Sequence, residues 1–536
     1  MKMLPSREWL ILVVLSLLVI LLRLPSLELP FDNDNGSFAY HARLILAGEP
    51  LYSTHHPGHH LPGVYYTYAM AFLLFGDNLG AVKLWLILWI VVSVYLLYWL
   101  GILLKDRGVG LLAAIFYAIL SAHLLLVGQN APIELFANLP RLAAVLVLIY
   151  LLTRRTKDWT FMFVGVLSAF AFLFKAVYLS SLALAGLTLL VEWWPNRRVA
   201  GYWQTPLRRS LWLGVGFLLG LLPVIIYLSG LGLWPRIYLG FILGQRYVGA
   251  SAGPQYIILY PLMGLAINNV VLLIFSLAGL VMIVMTKRRE DEEDQRQTIP
   301  TPYCLAAWYI LSMSEAGANR TPYPHYYLLL VPPLALLAAW FVRTAYLYIR
   351  AQSQLVYRFV LALSMTLLMT LALLISVGQN FSYYHYFLRY KLGLETYEGF
   401  LVKGWPTDGP GLVRVQQLAD YIQAHTSPSD QIYYWSDRVQ LYYLAQRRSP
   451  FDLLWPVYAT DAGYYQQISD LQTKYHIFDQ NTKYIIIDRS QDKPPPSRPD
   501  WFNAELIEKY ELETVIADQE IYRSLAWANS VTIGIK

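Results

Sequence analysis

The chain has 536 residues, 57% of them hydrophobic and only 14% charged, with a formal net charge of +6. Its apolar runs are too many and too long for the core of one soluble domain, which leaves a polytopic membrane protein. The basic excess lies in short loops between apolar runs, where it reports orientation in the bilayer rather than affinity for nucleic acid, and the single cysteine, Cys304, excludes an intrachain disulfide and a cysteine-based metal site.

From the N-terminus, the run Trp9 to Leu22 follows Lys2 and Arg7 in the manner of a signal peptide, but no small-residue cleavage site follows, so it is read as a retained first span. A window of about twenty residues then gives roughly eleven spans. They centre on 9–28, 82–103, 109–128, 138–152, 159–175, 177–194, 210–229, 261–286, 302–313, 326–343 and 357–378. Basic clusters at Lys105 and Arg107, Arg154 to Lys157, Arg197 to Arg209, Lys287 to Arg289, and Arg343 to Arg358 all fall on the side of the N-terminus. The positive-inside rule makes that side cytoplasmic. Segments 30–81, 128–138, 230–260 and 314–325 then face outward, as does everything after about 380.

The first outer segment is the most polar stretch near any span: PFDNDNGSFAYHARLILAGEPLYSTHHPGHHLPGVYY, Pro30 to Tyr66. Acids and histidines gathered beside a span point to chemistry at that surface. Helical apolar spacing over Phe38 to Ala47, after Asn35, Gly36 and Ser37 and before Gly48 and Pro50, predicts one short helix; Val64 to Phe75, apolar but too short to span, predicts an interfacial one. A helix beginning at Gly36 directs amide dipoles toward Asp34 and helps to keep it ionised.

Residues 1–379 are therefore read as a transmembrane domain, with 30–81 its first outer loop, and 380–536 as a soluble outer α/β domain. In the latter, strands are predicted at Gln431 to Trp435 and Tyr484 to Asp488, and helices at Val413 to Ala424, Val439 to Gln446 and Ala504 to Tyr510. Arg288 to Arg296 is a solvated cytoplasmic loop.

Several segments resemble, in order, the GT-C membrane glycosyltransferases, in particular bacterial relatives of the protein O-mannosyltransferases and of the lipid A aminoarabinose transferase. That family's D-x-D-E-G, L-x-G-x-x-P-Y and H-K-P-P-G-x-Y-Y are matched here by DNDNG (Asp32 to Gly36), LAGEPLY (Leu46 to Tyr52) and HHLPGVYY (His59 to Tyr66). GQNAPIELFANLP (Gly128 to Pro140), AFLFK (Ala171 to Lys175) and PHYYLLLVPPLALLA (Pro324 to Ala338) follow in order. Two departures stand out. Asn35 replaces the second acid of the family's Asp-Glu pair, and His60 replaces its loop lysine, making any phosphate contact there dependent on histidine protonation.

The resemblance implies an about eleven-helix GT-C fold with the N-terminus inside, a sugar donor on a polyprenyl monophosphate in the outer leaflet of a prokaryotic cytoplasmic membrane, a glycan, lipid or protein hydroxyl as acceptor, and no cofactor. One ionised carboxylate takes the acceptor proton, Asp34 or else Asp32, and cations surround the departing phosphate. His60, Lys175 and Arg320 suit that second task, with His59, Glu134, His325 and Lys83 completing the substrate-binding set.

Each residue also has a plainer reading. Asp34 suits a helix cap; Glu134, two residues after Pro132, suits a helix dipole; Lys175 and Arg23 suit snorkelling to the interface; Arg320 suits a solvated loop. His55, His56, His59 and His60 look like a metal cluster, but Pro57 and Gly58 break the helix that would align them, so no metal is expected. The competing functions are a flippase for lipid-linked sugars, against which stand the absence of an inverted repeat and the outer domain, and a ligase using an undecaprenyl-diphosphate glycan.

Overall fold

The computed structural model describes residues 6–154, 156–194, 197–198, 201–248, 258–293, 301–317, 323–457, 476–479, 481–490 and 495–527. Helix α1 (Ser6–Arg23) leads through a 3-10 turn to two helices of the first outer loop, α2 (Asn33–Leu46) and α3 (Gly63–Phe75). There follow α4 (Leu79–Leu104), α5 (Arg107–Ser121), α6 (Ile133–Thr153), α7 (Met162–Phe172), α8 (Ser180–Trp193), α9 (Gln204–Gly230) and α10 (Trp234–Val248). The helical part closes with α11 (Tyr260–Glu293), α12 (Thr301–Ala316), α13 (Val331–Ala351) and α14 (Leu355–Lys391).

Among the described residues, eight helices are long and apolar enough to cross a membrane, and the protein is a multi-pass membrane protein. A helix stands at every expected span, although α5, α7 and α12, at 15, 11 and 16 residues, fall short of the length a bilayer requires, and α8, at 14, reaches 18 only with the 3-10 turn Ala176–Leu179 before it. Helix α14 runs unbroken through position 380 to Lys391. In lipid, helices associate by close packing rather than by water exclusion, so small residues mark the tightest seams. At the α7–α9 seam a Cβ on Gly165 would lie 2.1 Å from the Leu213 carbonyl oxygen, and one on Gly216 2.0 Å from that of Met162.

The first-loop helices form, but α2 begins earlier than its apolar spacing suggests. Asp32, in extended conformation, accepts the Asn35 amide at 2.9 Å and is the N-cap, so the helix starts at Asn33 rather than near Gly36. The cap reading offered for Asp34 thus belongs to Asp32, and Asp34 sits inside the first turn.

Beyond α14 lie α15 (Tyr397–Gly404) and α16 (Gly409–His425), then a four-stranded sheet. Its elements are β1 (Gln431–Trp435), α17 (Gln440–Ala445), β2 (Thr482–Asp488), α18 (Asp500–Lys509), β3 (Tyr510–Ile516) and β4 (Gln519–Ser524), with strand order β1-β2-β4-β3. Strands β1 and β2 run parallel with Tyr433 opposite Ile485; β2–β4 and β4–β3 are antiparallel. Strand β2 is buried along its whole length, as a central strand covered on both faces must be. Tyr434 and Ile486 share one core with Val415 and Leu418 of α16, whereas Tyr433 and Ile485 share another with Phe502 and Leu506 of α18.

The short helix α17 fixes this unit to the first loop. Tyr442 packs on Tyr40 at 5.9 Å between centroids, the Arg43 guanidinium lies 4.1 Å over the Tyr443 ring, and Arg43 Nη1 donates to the Tyr443 carbonyl at 3.0 Å. At Gly36 the two helices meet backbone to backbone: a Cβ there would lie 2.2 Å from Cβ of Gln440. No larger residue fits.

Candidate active site

The acid motif has a floor and a rim. Asp32 belongs to the floor, where it accepts the Asn35 amide N–H, the Asn35 side-chain amide at 2.5 Å, and the side-chain amide of Asn130. Asn130 comes from the loop between α5 and α6, and its own amide oxygen accepts from Lys83 Nζ at 3.4 Å. Lys83 also donates to the Gln129 carbonyl at 3.3 Å and is 1% exposed. The structure therefore corrects the expectation for Lys83: its ammonium is engaged behind Asp32 and does not face an open cleft. Tyr68 of α3 donates both to Asn35 and, at 2.8 Å, to the Ala131 carbonyl. The residue that stands where the family has a second acid is thus a hydrogen-bonding bridge.

Asp34, two residues on, is different. Half-buried, it makes no hydrogen bond or ion pair among the described residues. Desolvation raises its pKa to about 6, with Asp32 and Glu134 pushing the same way and His325 and Lys175 opposing. Burial thus outweighs the helix dipole that was expected to hold Asp34 strongly ionised.

The rim is formed by the groups around it. Glu134, at the start of α6, is buried, and its carboxylate lies 3.6 Å from Lys175 Nζ. Lys175 follows α7 and places its ammonium 4.0 Å over the Tyr326 ring. That ring belongs to the Pro324–Leu329 turn that also carries His325, stacked on Tyr323. The pairing with Glu134 and the contact with Tyr326 give Lys175 a fixed place that a snorkelling side chain lacks. Arg320 lies outside the described residues.

The four histidines split into two pairs. His55 Nε2 meets the Ser449 carbonyl at 3.0 Å and His56 Nε2 the Arg236 carbonyl at 2.6 Å, so both hold the loop to its neighbours. His59 and His60 lie against each other, tilted, at 4.2 Å between centroids, and the Gly63 amide just after them donates to the Leu173 carbonyl at 2.7 Å, bringing the turn to the end of α7. Desolvation, reinforced by Lys175, lowers the pKa of His59 to about 3 and that of His60 well below its usual value. Burial disfavours the charged form of both rings, against the expectation of His60 as a cation beside a phosphate. Among the described residues no three His, Cys, Asp or Glu side chains are grouped as metal ligands.

Beside this turn an apolar groove of about 230 Å³ runs between Tyr52, Pro62 and Tyr66 of the first loop and Pro223, Val224 and Tyr227 of α9. Tyr52 donates to the His60 carbonyl at 2.9 Å, which joins the groove to the histidine turn.

Two buried polar groupings were not read from the sequence. Asn130 lay inside the matched GQNAP segment, and its signal was a polar Gln-Asn pair where an apolar run meets a proline. Arg141 lies within α6, buried and ion-paired with Glu315 of α12, which also accepts from Ser180. An ionisable residue inside a span was the available warning.

Comparison with solved structures bears on this arrangement. ArnT from Cupriavidus metallidurans, bound to undecaprenyl phosphate, superposes with a TM-score of 0.58 at 14% identity, covering 97% of this chain and 98% of that one. This chain has the GT-C fold. The archaeal oligosaccharyltransferase AglB from Archaeoglobus fulgidus, in complex with an inhibitory peptide and a dolichol-phosphate, matches at 12% identity and a TM-score of 0.52, covering 90% of this chain and 69% of its own. A family model described as the putative competence-induced protein Ccs4 C-terminal domain matches residues 414–523, the sheet-bearing unit. No curated protein matches.

Proposed function

We propose that the chain is an inverting glycosyltransferase that moves a sugar from a polyprenyl-monophosphate carrier to an acceptor hydroxyl at the outer face of a prokaryotic cytoplasmic membrane. The observation that carries this reading is Asp34, a carboxylate free of hydrogen bonds among the described residues, set between a fully bonded Asp32 and the Glu134–Lys175 pair in a fold shared over almost the whole chain with an undecaprenyl-phosphate complex.

The chemistry follows from the two halves of the site. The acceptor oxygen attacks the anomeric carbon from the face opposite the phosphate, the C1–O bond to phosphate breaks, and the acceptor proton passes to Asp34. A carboxylate with a pKa of about 6 is mostly ionised at neutral pH yet more basic than an ordinary aspartate, which suits a general base. Lys175 offsets the charge growing on the leaving phosphate. The apolar groove between the first loop and α9 takes the near part of the polyprenyl tail. The sheet-bearing unit binds or covers the acceptor.

The test is Asp34→Asn in purified protein supplied with radiolabelled polyprenyl-phosphate sugars. Turnover should drop by roughly 10² to 10⁴-fold, the range for loss of a general base, with binding of undecaprenyl phosphate unchanged. In the parent protein turnover should fall about tenfold per unit as pH drops below about 6, where Asp34 takes up its proton. Near-normal turnover of Asp34→Asn together with a dead Asp32→Asn would move the base to Asp32.

A further inference from the structure

Arg23, the last residue of α1, is 1% exposed and has no carboxylate within ion-pair distance among the described residues. Its surroundings are the rings of Tyr117, Tyr383 and Tyr384. A buried guanidinium stays charged, and leaving it without a counter-ion is costly. What it does have is two directed bonds: Nη1 donates to the Gly128 carbonyl at 2.8 Å and Nη2 to the Ser121 carbonyl at 2.5 Å.

Those two carbonyls bracket the loop between α5 and α6. The loop doubles back sharply, with Val127 in the left-handed region at φ 57°, unusual for a β-branched residue, and with Gly128 so close that a Cβ would stand 2.3 Å from the Ser121 oxygen. The fork of Arg23 thus closes the loop at its neck, which a single-point donor such as lysine does not reproduce. Every residue just past the neck then touches the floor of the site. Gln129 donates its amide to the Leu22 and Ala122 carbonyls at 3.1 and 2.6 Å and its own carbonyl accepts from Lys83; Asn130 donates to Asp32; the Ala131 carbonyl accepts from Tyr68.

We propose that Arg23 is a positioning residue for the acid motif: by tying the neck of the 121–131 loop it sets the place of Asn130, and through Asn130 that of Asp32 and the first turn of α2. The role rests on the reading of Asp34 as the base, because the turn so placed is the one that carries it. Arg23 does not touch substrate, and its effect reaches the chemistry through geometry alone, where a displacement of about 1 Å can cost a hundredfold in rate.

The experiment is a double-mutant cycle on the full-length protein with Arg23→Met and Asn130→Ala. Each single variant should lower turnover of the polyprenyl-phosphate sugar at least tenfold with donor KM within about threefold, and the double variant should be no worse than the worse single one, since both act on one path. Effects that multiply, or an Arg23→Met protein with normal turnover, overturn the proposal. Where Arg23→Met fails to fold, Arg23→Lys keeps the charge and loses the fork, and the same pattern is expected of it.

Hydrogen exchange supplies an arm independent of activity. Loss of the fork should speed exchange both in 121–131 and at the Asn35 amide that Asp32 caps, and unchanged protection at Asn35 sinks the idea even if Asp34 proves not to be the base. Conversely, an Asp34→Asn protein that still turns over, with faster exchange at Asn35 in Arg23→Met, overturns the functional reading and leaves the positioning role standing.

Discussion

The floor and the rim of the acid site are built from the same residue types and behave oppositely. On the floor Asp32 is saturated: three donors from two asparagines hold it, and behind them Lys83, Tyr68 and Arg23 are engaged in turn. On the rim, the Asp34 side chain accepts nothing among the described residues, and Lys175 stands 3.6 Å from Glu134. A bonded carboxylate two residues from an unbonded one separates the work of holding shape from that of moving a proton.

The contrast can be broken most sharply at the rim. Lys175→Met removes a cation held in place by Glu134 and Tyr326, and kcat/KM for the polyprenyl-phosphate sugar should fall about 10- to 100-fold, the worth of one charge-assisted contact. An unchanged kcat/KM would put the phosphate elsewhere.

On the floor the effect should be one of stability. Asp32→Asn sets an amide N–H2 against the N–H2 of Asn130 and weakens the cap of α2, so thermal stability should drop by about 1–3 kcal/mol, with turnover reduced less than in Asp34→Asn. A melt that does not move would mean that the floor is looser than its bonds indicate.

The smallest effect sharpens the same division. Because the folded state raises the pKa of Asp34 from 3.8 to about 6, its ionised form works against folding above pH 6, and that cost fades as pH falls and is gone below about 4. Asp34→Asn should therefore be more stable than the parent at pH 7, by about 1 kcal/mol after discounting for its partial exposure, and no more stable at pH 4. A variant that kills turnover and raises Tm is the mark of a functional group held at a cost.

Much of this was legible in the chain. Hydropathy located the membrane helices because lipid leaves the backbone no alternative, and β1 was read at its observed bounds. The β3–β4 hairpin escaped: its turn uses Ala517 and Asp518 at positive φ, 47° and 66°, without the Asn-Gly or Asp-Gly that announces such turns. Helix α10 escaped because its apolar stripe, Trp234, Tyr238 and Phe241, faces outward while its other side meets the His56 turn. At the site, types of residue were readable and partners were not. Asp32 and Asp34 are the same residue type two positions apart; the cap and Asn35 hold Asp32 locally, and Asn130, about a hundred positions away, supplies its third bond. Lys83 was read as a substrate-binding residue for the same reason: its sequence shows a cation near an outer loop, and only the fold shows what already occupies it.

The contact at Gly36 gives the site a history as well as a geometry. The helix that Asp32 caps and that carries Asp34 leaves the ribosome long before α17, the wall that closes on it across contacts 400 residues apart. Contacts so distant in sequence form late. During biogenesis the acids therefore stand at the membrane surface without their final wall until the sheet-bearing unit has emerged and docked, and a chain that stops short of Gln440 carries every aspartate, lysine and histidine of the site while leaving one side of it open.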